Sequence, residues 1–349
     1  MSANFTADLA IKNEILPMDE LFQYGNQKAT PFLSENFWPA MRQNAQLNGV
    51  TYAIPFHNST PILYYNKDMF KQAGIDHPPV DWSELLADAK KLTDSAKGQW
   101  GVMLPSSNDD YGGWILSALT RANGGNYYNA DYPGEVYYNQ PSTVGALRFW
   151  QNLVYRDKVM PAGVLNSKQI SAAFFSGKLG MAMLSTGALG FMRENTKDFE
   201  LGVAMMPKEI RNAVTIGGAS LVSFKGISDD QKKAAYTFLQ YLVSPKVNGS
   251  WSRFTGYFSP RIAAYDTPEM KEYIARDPRA AIALDQLKFA MPWYATYETV
   301  AVRQAMENQL GALMNDGKLT PEAAAAEAQK QADLLMKPYN EQTALSTPH

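Results

Sequence analysis

Apolar residues recur at two periods along this chain, and the alternation between those periods sets the fold class. Ile62, Leu63, Tyr64 and Tyr65 form a continuous run of strand length, and Pro55 and Pro61 keep helix out of its approach. Asn66 or Asp68 then caps a short helix through Met69, Phe70 and Ala73 that stops at Gly74. After Asp81, residues Trp82, Leu85, Leu86, Ala89 and Leu92 recur at helical spacing, which predicts a capped amphipathic helix ending near Gly98. Gln99 to Pro105 reads as a strand leading into a polar loop over 106–113. Helices are predicted over 114–123, 142–156 and from 168 to Gly177, followed by strands at 181–185 and 199–207. Residues 215–224 are strand-like and carry the paired Gly217 and Gly218; 229–242 is a clear amphipathic helix. A helix over 298–314 precedes an alanine-rich one from Pro321 to Met336, capped by Thr320, and the residues from Pro338 read as a flexible tail. Strands alternating with helices indicate an α/β architecture.

At 349 residues the chain has the length of two globular domains. A formal charge of −2 with no long basic run gives no electrostatic footprint for nucleic acid or an anionic membrane. No cysteine is present, which excludes disulfides, thiolate catalysis and cysteine-ligated metals. His57, His77 and His349 are scattered without metal-ligand spacing, so neither a metal nor a cofactor is predicted. No basic stretch followed by an apolar core opens the sequence, and no apolar run approaches membrane-spanning length. The 19 tyrosines and 7 tryptophans are mostly core material, with the remainder suited to a pocket for a sugar or polyol.

A catalytic reading needs an acid and base pair. Asp109, Asp110 and Glu298 lie on predicted loops, and two such carboxylates flanking a substrate would permit glycoside or phosphodiester hydrolysis. Adjacent Asp109 and Asp110 more often simply solvate a loop or cap the next helix, which begins near Trp114. Ser185, Thr186 and Gly187 have no histidine nearby in sequence, and Gly217 with Gly218 is no phosphate-binding loop. A binding reading asks only for small polar side chains, aromatic faces and one cation. Asn58, Ser59 and Thr60 sit on a rigid corner before a strand, while Tyr111 and Trp114 flank two glycines that would expose them.

Four segments carry a family resemblance, and they occur in order across nearly the whole chain. Residues 55–74, with Pro55, Phe56, Ser59, Thr60, Pro61, Tyr64, Tyr65, Asn66 and Asp68, resemble a signature of the extracellular solute-binding proteins of ABC importers, in their carbohydrate and glycerol-phosphate branch. Phe174 to Met183 leading to Ser185, Gly217 to Ser220, and Thr255 to Arg261 are similar to later elements of that family. The resemblance implies a two-lobe periplasmic-binding-protein fold of type II with a hinge and an interlobe cleft. Lobe one would comprise 1–104 plus 215–290, lacking the family's opening strands and helices, and lobe two 105–214 plus 291–349. The implied function is non-catalytic: capture of a glycerol phosphate, a glycerophosphodiester or a sugar by a monomeric periplasmic or extracellular receptor, and delivery to ABC permease subunits. Ser59, Ser185, Gly218 and Tyr257 would contact the ligand, Tyr111 and Trp114 would stack on it, and Arg303 would meet its anionic group through charge-assisted hydrogen bonds.

Overall fold

The computed structural model describes residues 1–109, 111–293 and 295–346. The chain forms two compact units, one of Met1–Thr60, Thr186–Gly190 and Ile216–Thr299, the other of Pro61–Ser185, Phe191–Thr215 and Val300–His349.

In chain order, strands β1 (Ile54–Ser59) and β2 (Pro61–Asn66) lead into helix α1 (Lys67–Gln72). The Asn66 side chain caps α1, accepting the Asp68 and Met69 amides at 3.1 and 3.0 Å. Helix α2 (Trp82–Leu92) is capped by Asp81 and stops well before Gly98. There the Thr93 hydroxyl turns back onto the Ala89 carbonyl and accepts the Gly101 amide, tying the chain to strand β3 (Trp100–Met103). Then come α3 (Tyr111–Ala122), α4 (Pro141–Tyr155), α5 (Ser167–Phe175), β4 (Leu179–Ser185), β5 (Leu201–Ala204) and β6 (Gly217–Leu221). Helices α6 (Asp229–Leu242), α7 (Pro245–Thr255), α8 (Thr299–Asn315) and α9 (Pro321–Ser346) follow.

The second unit is organised by a four-stranded sheet in the order β3-β4-β2-β5, in which only β3 and β4 run parallel. All seven residues of β4 are buried, as a central strand covered on both faces requires. Helix α2 lies so close to this sheet that a Cβ at Gly101 would stand 2.1 Å from the Ala89 carbonyl oxygen, a contact only glycine permits. The first unit pairs β1 with β6 antiparallel, beside a core of Leu16, Phe22, Leu33, Phe37, Ile54 and Leu239.

Two expectations are corrected here. The first crossing falls at Thr60/Pro61 and not at 104/105, because β2 finds its partners in β4 and β5 and takes α1, α2 and β3 with it. Of the later crossings, an unexpected pair at Ser185/Thr186 and Gly190/Phe191 sends Thr186–Gly190 into the first unit, and the others lie at Thr215/Ile216, beside the expected 214/215, and at Thr299/Val300 in place of 290/291. The tail expected from Pro338 is instead helical to Ser346. Asn340 anchors it, donating to the Gly134 carbonyl at 3.0 Å and accepting from the Tyr132 hydroxyl at 2.7 Å.

Candidate functional site

In the first unit, the register of β1 against β6 sets Ser59 opposite Gly217, Asn58 opposite Gly218 and His57 opposite Ala219. Gly218 has φ 107°, and a Cβ there would meet the His57 carbonyl oxygen at 2.1 Å. The Asn58 amide donates to the Gly217 carbonyl at 3.0 Å, and its backbone exchanges hydrogen bonds of 3.2 and 2.7 Å with Phe258. That exchange seats Tyr257 beside β1. The Tyr257 and His57 rings meet edge to face, with centroids 4.0 Å apart, and Trp251 on α7 lies 6.1 Å from the same imidazole. Burial pushes the His57 imidazole down to about 4, and its Nδ1 has no hydrogen-bond partner among the described residues. Burial likewise raises the Tyr257 phenol. Thr60 is held on three sides: its amide donates to the Thr186 hydroxyl at 3.1 Å, its carbonyl accepts the Thr186 amide, and its hydroxyl accepts from Gln286 at 2.8 Å.

In the second unit, Tyr111 begins α3 and its hydroxyl accepts the Ser185 amide at 2.8 Å, while the Tyr64 hydroxyl donates to the Ser185 carbonyl at 2.8 Å. The predicted Ser185, Thr186, Gly187 turn is therefore divided, with Ser185 closing β4 here and Thr186 joining the first unit. Trp114 is 5% exposed and spends its indole N–H on the Thr215 carbonyl at 3.1 Å. It meets Tyr111 edge to face at 5.6 Å and 77°. The exposed stacking face expected of Trp114 is not there: Gly112 and Gly113 bring α3 closer to its neighbours and bury the indole. Arg303, 5% exposed on α8, donates from Nε to Glu307 Oε2 at 3.2 Å, and the fully buried Glu307 accepts the Gly113 amide on Oε1 at 3.0 Å. One carboxylate thus ties the guanidinium to the first turn of α3. The Tyr127 phenol is pushed well above its usual value by burial, with the charge of Glu307 adding to the rise.

The structure therefore sorts the seven predicted residues into two sets. Ser59, Gly218 and Tyr257 gather around β1 and β6, and Tyr111, Trp114, Ser185 and Arg303 gather around the start of α3. Sequence reasoning missed Glu307, although its position four residues after Arg303 in a helical pattern was a usable signal. Asn58 was seen only as part of a polar corner, and Gln286 not at all.

Two carboxylates of the hydrolase alternative, Asp109 and Glu298, are engaged otherwise. Asp109 accepts from the Ser107 hydroxyl at 2.6 Å, and Glu298 pairs with Lys12 at 3.0 Å in the other unit. Asp110 lies outside the described residues. Among the described residues no group of three or more His, Cys, Asp or Glu could hold a metal, and no helix is long and apolar enough to cross a membrane.

Residues 1–278 match the family of bacterial extracellular solute-binding proteins. The sn-glycerol-3-phosphate-binding periplasmic protein UgpB of Yersinia pseudotuberculosis is 28% identical over 96% of this chain and 78% of its own length. The protein of the same name from an Escherichia coli O6:K15:H31 strain is 27% identical over 97% and 79%. In fold, the chain is similar to UgpB from Mycobacterium tuberculosis in complex with glycerophosphocholine, with a TM-score of 0.84 and 24% identity over 97% of this chain and 83% of the other. It is similar also to maltose-bound T. maritima MalE3, with a TM-score of 0.81 and 24% identity over 96% and 83%. These likenesses agree with the two α/β units, and the hydrolase alternative finds no counterpart among them. The chain belongs to the bacterial extracellular solute-binding proteins and is a non-catalytic substrate-binding component of an ABC importer.

Proposed function

We propose that this protein captures a glycerol phosphate or glycerophosphodiester in the periplasm and, as a monomer, delivers it to its permease. Arg303 is the observation that carries the reading: a buried guanidinium fixed by Glu307 beside the α3 turn that holds Tyr111 and Trp114. A pre-oriented planar donor suits a phosphate oxygen, and its ordering cost is met before the ligand arrives. The names of the Yersinia and Escherichia relatives support the same class. In this reading Ser59, Gly218 and Tyr257 of the first unit, and Tyr111 and Ser185 of the second, contact the glycerol and its substituent, while the buried Trp114 supports Tyr111 from behind.

A neutral sugar is the second reading, favoured by one observation: the charge of Arg303 is already matched by Glu307. Thermal-shift measurements with sn-glycerol 3-phosphate, glycerophosphocholine and maltose decide between them. A ligand at a hundred times its Kd stabilises the folded protein by about 2.7 kcal/mol, a shift of several degrees. A response to either phosphate compound is expected; a response to maltose alone rejects the anionic class.

A further inference from the structure

We infer that Glu307 selects ligands by charge, favouring a phosphodiester with one negative charge over a phosphomonoester with two. The inference rests on the proposed role of Arg303. In the sequence of α8, Arg303 is the sole basic residue and Glu307 the sole acidic one, so the helix offers one positive charge and cancels it four residues later. Both side chains are buried, and the carboxylate is bonded on its other oxygen to the Gly113 amide, which fixes it in place. Coulomb interactions are weakly screened in such surroundings. A single anionic oxygen can share the Arg303 guanidinium. The second charge of a dianion must be stripped of water with no further cation on α8 to meet it, and it is repelled by Glu307 at short range. A fixed carboxylate bonded to the same guanidinium is expected to cost about tenfold in affinity for each added negative charge.

The contrast has a pH signature. A phosphomonoester gains its second charge near pH 6, whereas a phosphodiester keeps a single charge throughout. The Tyr127 phenol lies close enough to feel the charge of Glu307, and burial raises it well above its usual value, so it keeps its proton across this range.

Calorimetric titration with sn-glycerol 3-phosphate and with glycerophosphoglycerol, at pH 5.5 and 7.5, tests the assignment. The wild-type protein is expected to prefer the diester about tenfold at pH 7.5, with the gap narrowing at pH 5.5 because the monoester improves. Glu307→Gln keeps a carbonyl oxygen for the Gly113 amide while removing the charge, and is expected to shift the ratio about tenfold toward the monoester at pH 7.5. Rescue of the wild-type ratio by Glu307→Asp would accompany it. A folded Glu307→Gln protein with an unmoved ratio overturns the inference and leaves the proposed ligand class standing. Should that variant not fold, the wild-type profile decides alone: equal pH dependence for both ligands overturns the inference. Failure of the wild-type protein to bind either compound rejects the proposed function itself.

Discussion

Ser59 and Ser185 each close a strand, yet the two are held in place by different means. Around Ser59, position is fixed largely by main chain: β1 is laced to β6 and to Phe258, and Gly218 lets the strands approach where a side chain could not fit. Around Ser185, position is fixed by side chains: the hydroxyls of Tyr64 and Tyr111 take its carbonyl and amide, and Glu307 joins α8 to α3. The first cluster is therefore vulnerable to added atoms and the second to removed ones.

Glu307→Ala tests that contrast most severely. It removes the carboxylate that accepts from the buried Arg303 Nε and deletes the acceptor of the Gly113 amide, and a loss of about 3–5 kcal/mol is expected in urea unfolding followed by circular dichroism. An unchanged midpoint would show that water reaches the pair and that the second cluster is looser than described. Trp114→Ala should cost about 3–4 kcal/mol, through the cavity it leaves and the Thr215 carbonyl it orphans. A stable variant that had lost only ligand affinity would instead restore the exposed role read from the sequence.

On the first cluster, Gly218→Ala should cost about 2–3 kcal/mol, because the backbone conformation disfavours a side chain and the Cβ would collide with the His57 carbonyl. Near-neutral behaviour would mean that β1 and β6 can part without penalty. The smallest effect is a pH dependence. The buried imidazole of His57 titrates at about 4 against an ordinary 6.5, so the unfolded chain binds the proton first as pH falls. Stability contributed by the neutral form is thus complete above about pH 6.5 and is lost on descent toward pH 4; the full shift is worth about 3 kcal/mol, reduced to about 2 kcal/mol because solvent reaches part of the ring. His57→Asn should flatten the pH dependence of the unfolding midpoint between those limits, and a wild-type profile already flat there would place His57 in contact with water.

Elements whose signal is local were legible in the sequence. The α6 boundaries at Asp229 and Leu242 follow from Ser228 and Gln231, which form a reciprocal cap, and from an uninterrupted amphipathic period. The strand through Ile62 to Tyr65 and its Asn66 cap were equally plain. Crossing points were not, because the unit that β2 joins depends on strands more than a hundred residues later. The two glycines between Tyr111 and Trp114 carried opposite meanings that composition cannot separate: glycine can expose a neighbour in a loop or bury it by letting a helix pack closer, and α3 does the second. Pro338 misled for a similar reason. A proline near a chain end weakens a helix, but the bonds from Asn340 to Gly134 and Tyr132 supply from a distance what the local sequence withholds.

The packing of Trp251 near His57 has an optical consequence. A protonated imidazole quenches indole emission far more strongly than a neutral one, and these rings lie 6.1 Å apart while the indole stays partly open to solvent. Trp251 is accordingly a built-in reporter of the charge on His57. The emission lost in Trp251→Phe, traced against pH, would follow the protonation of that imidazole without any added dye.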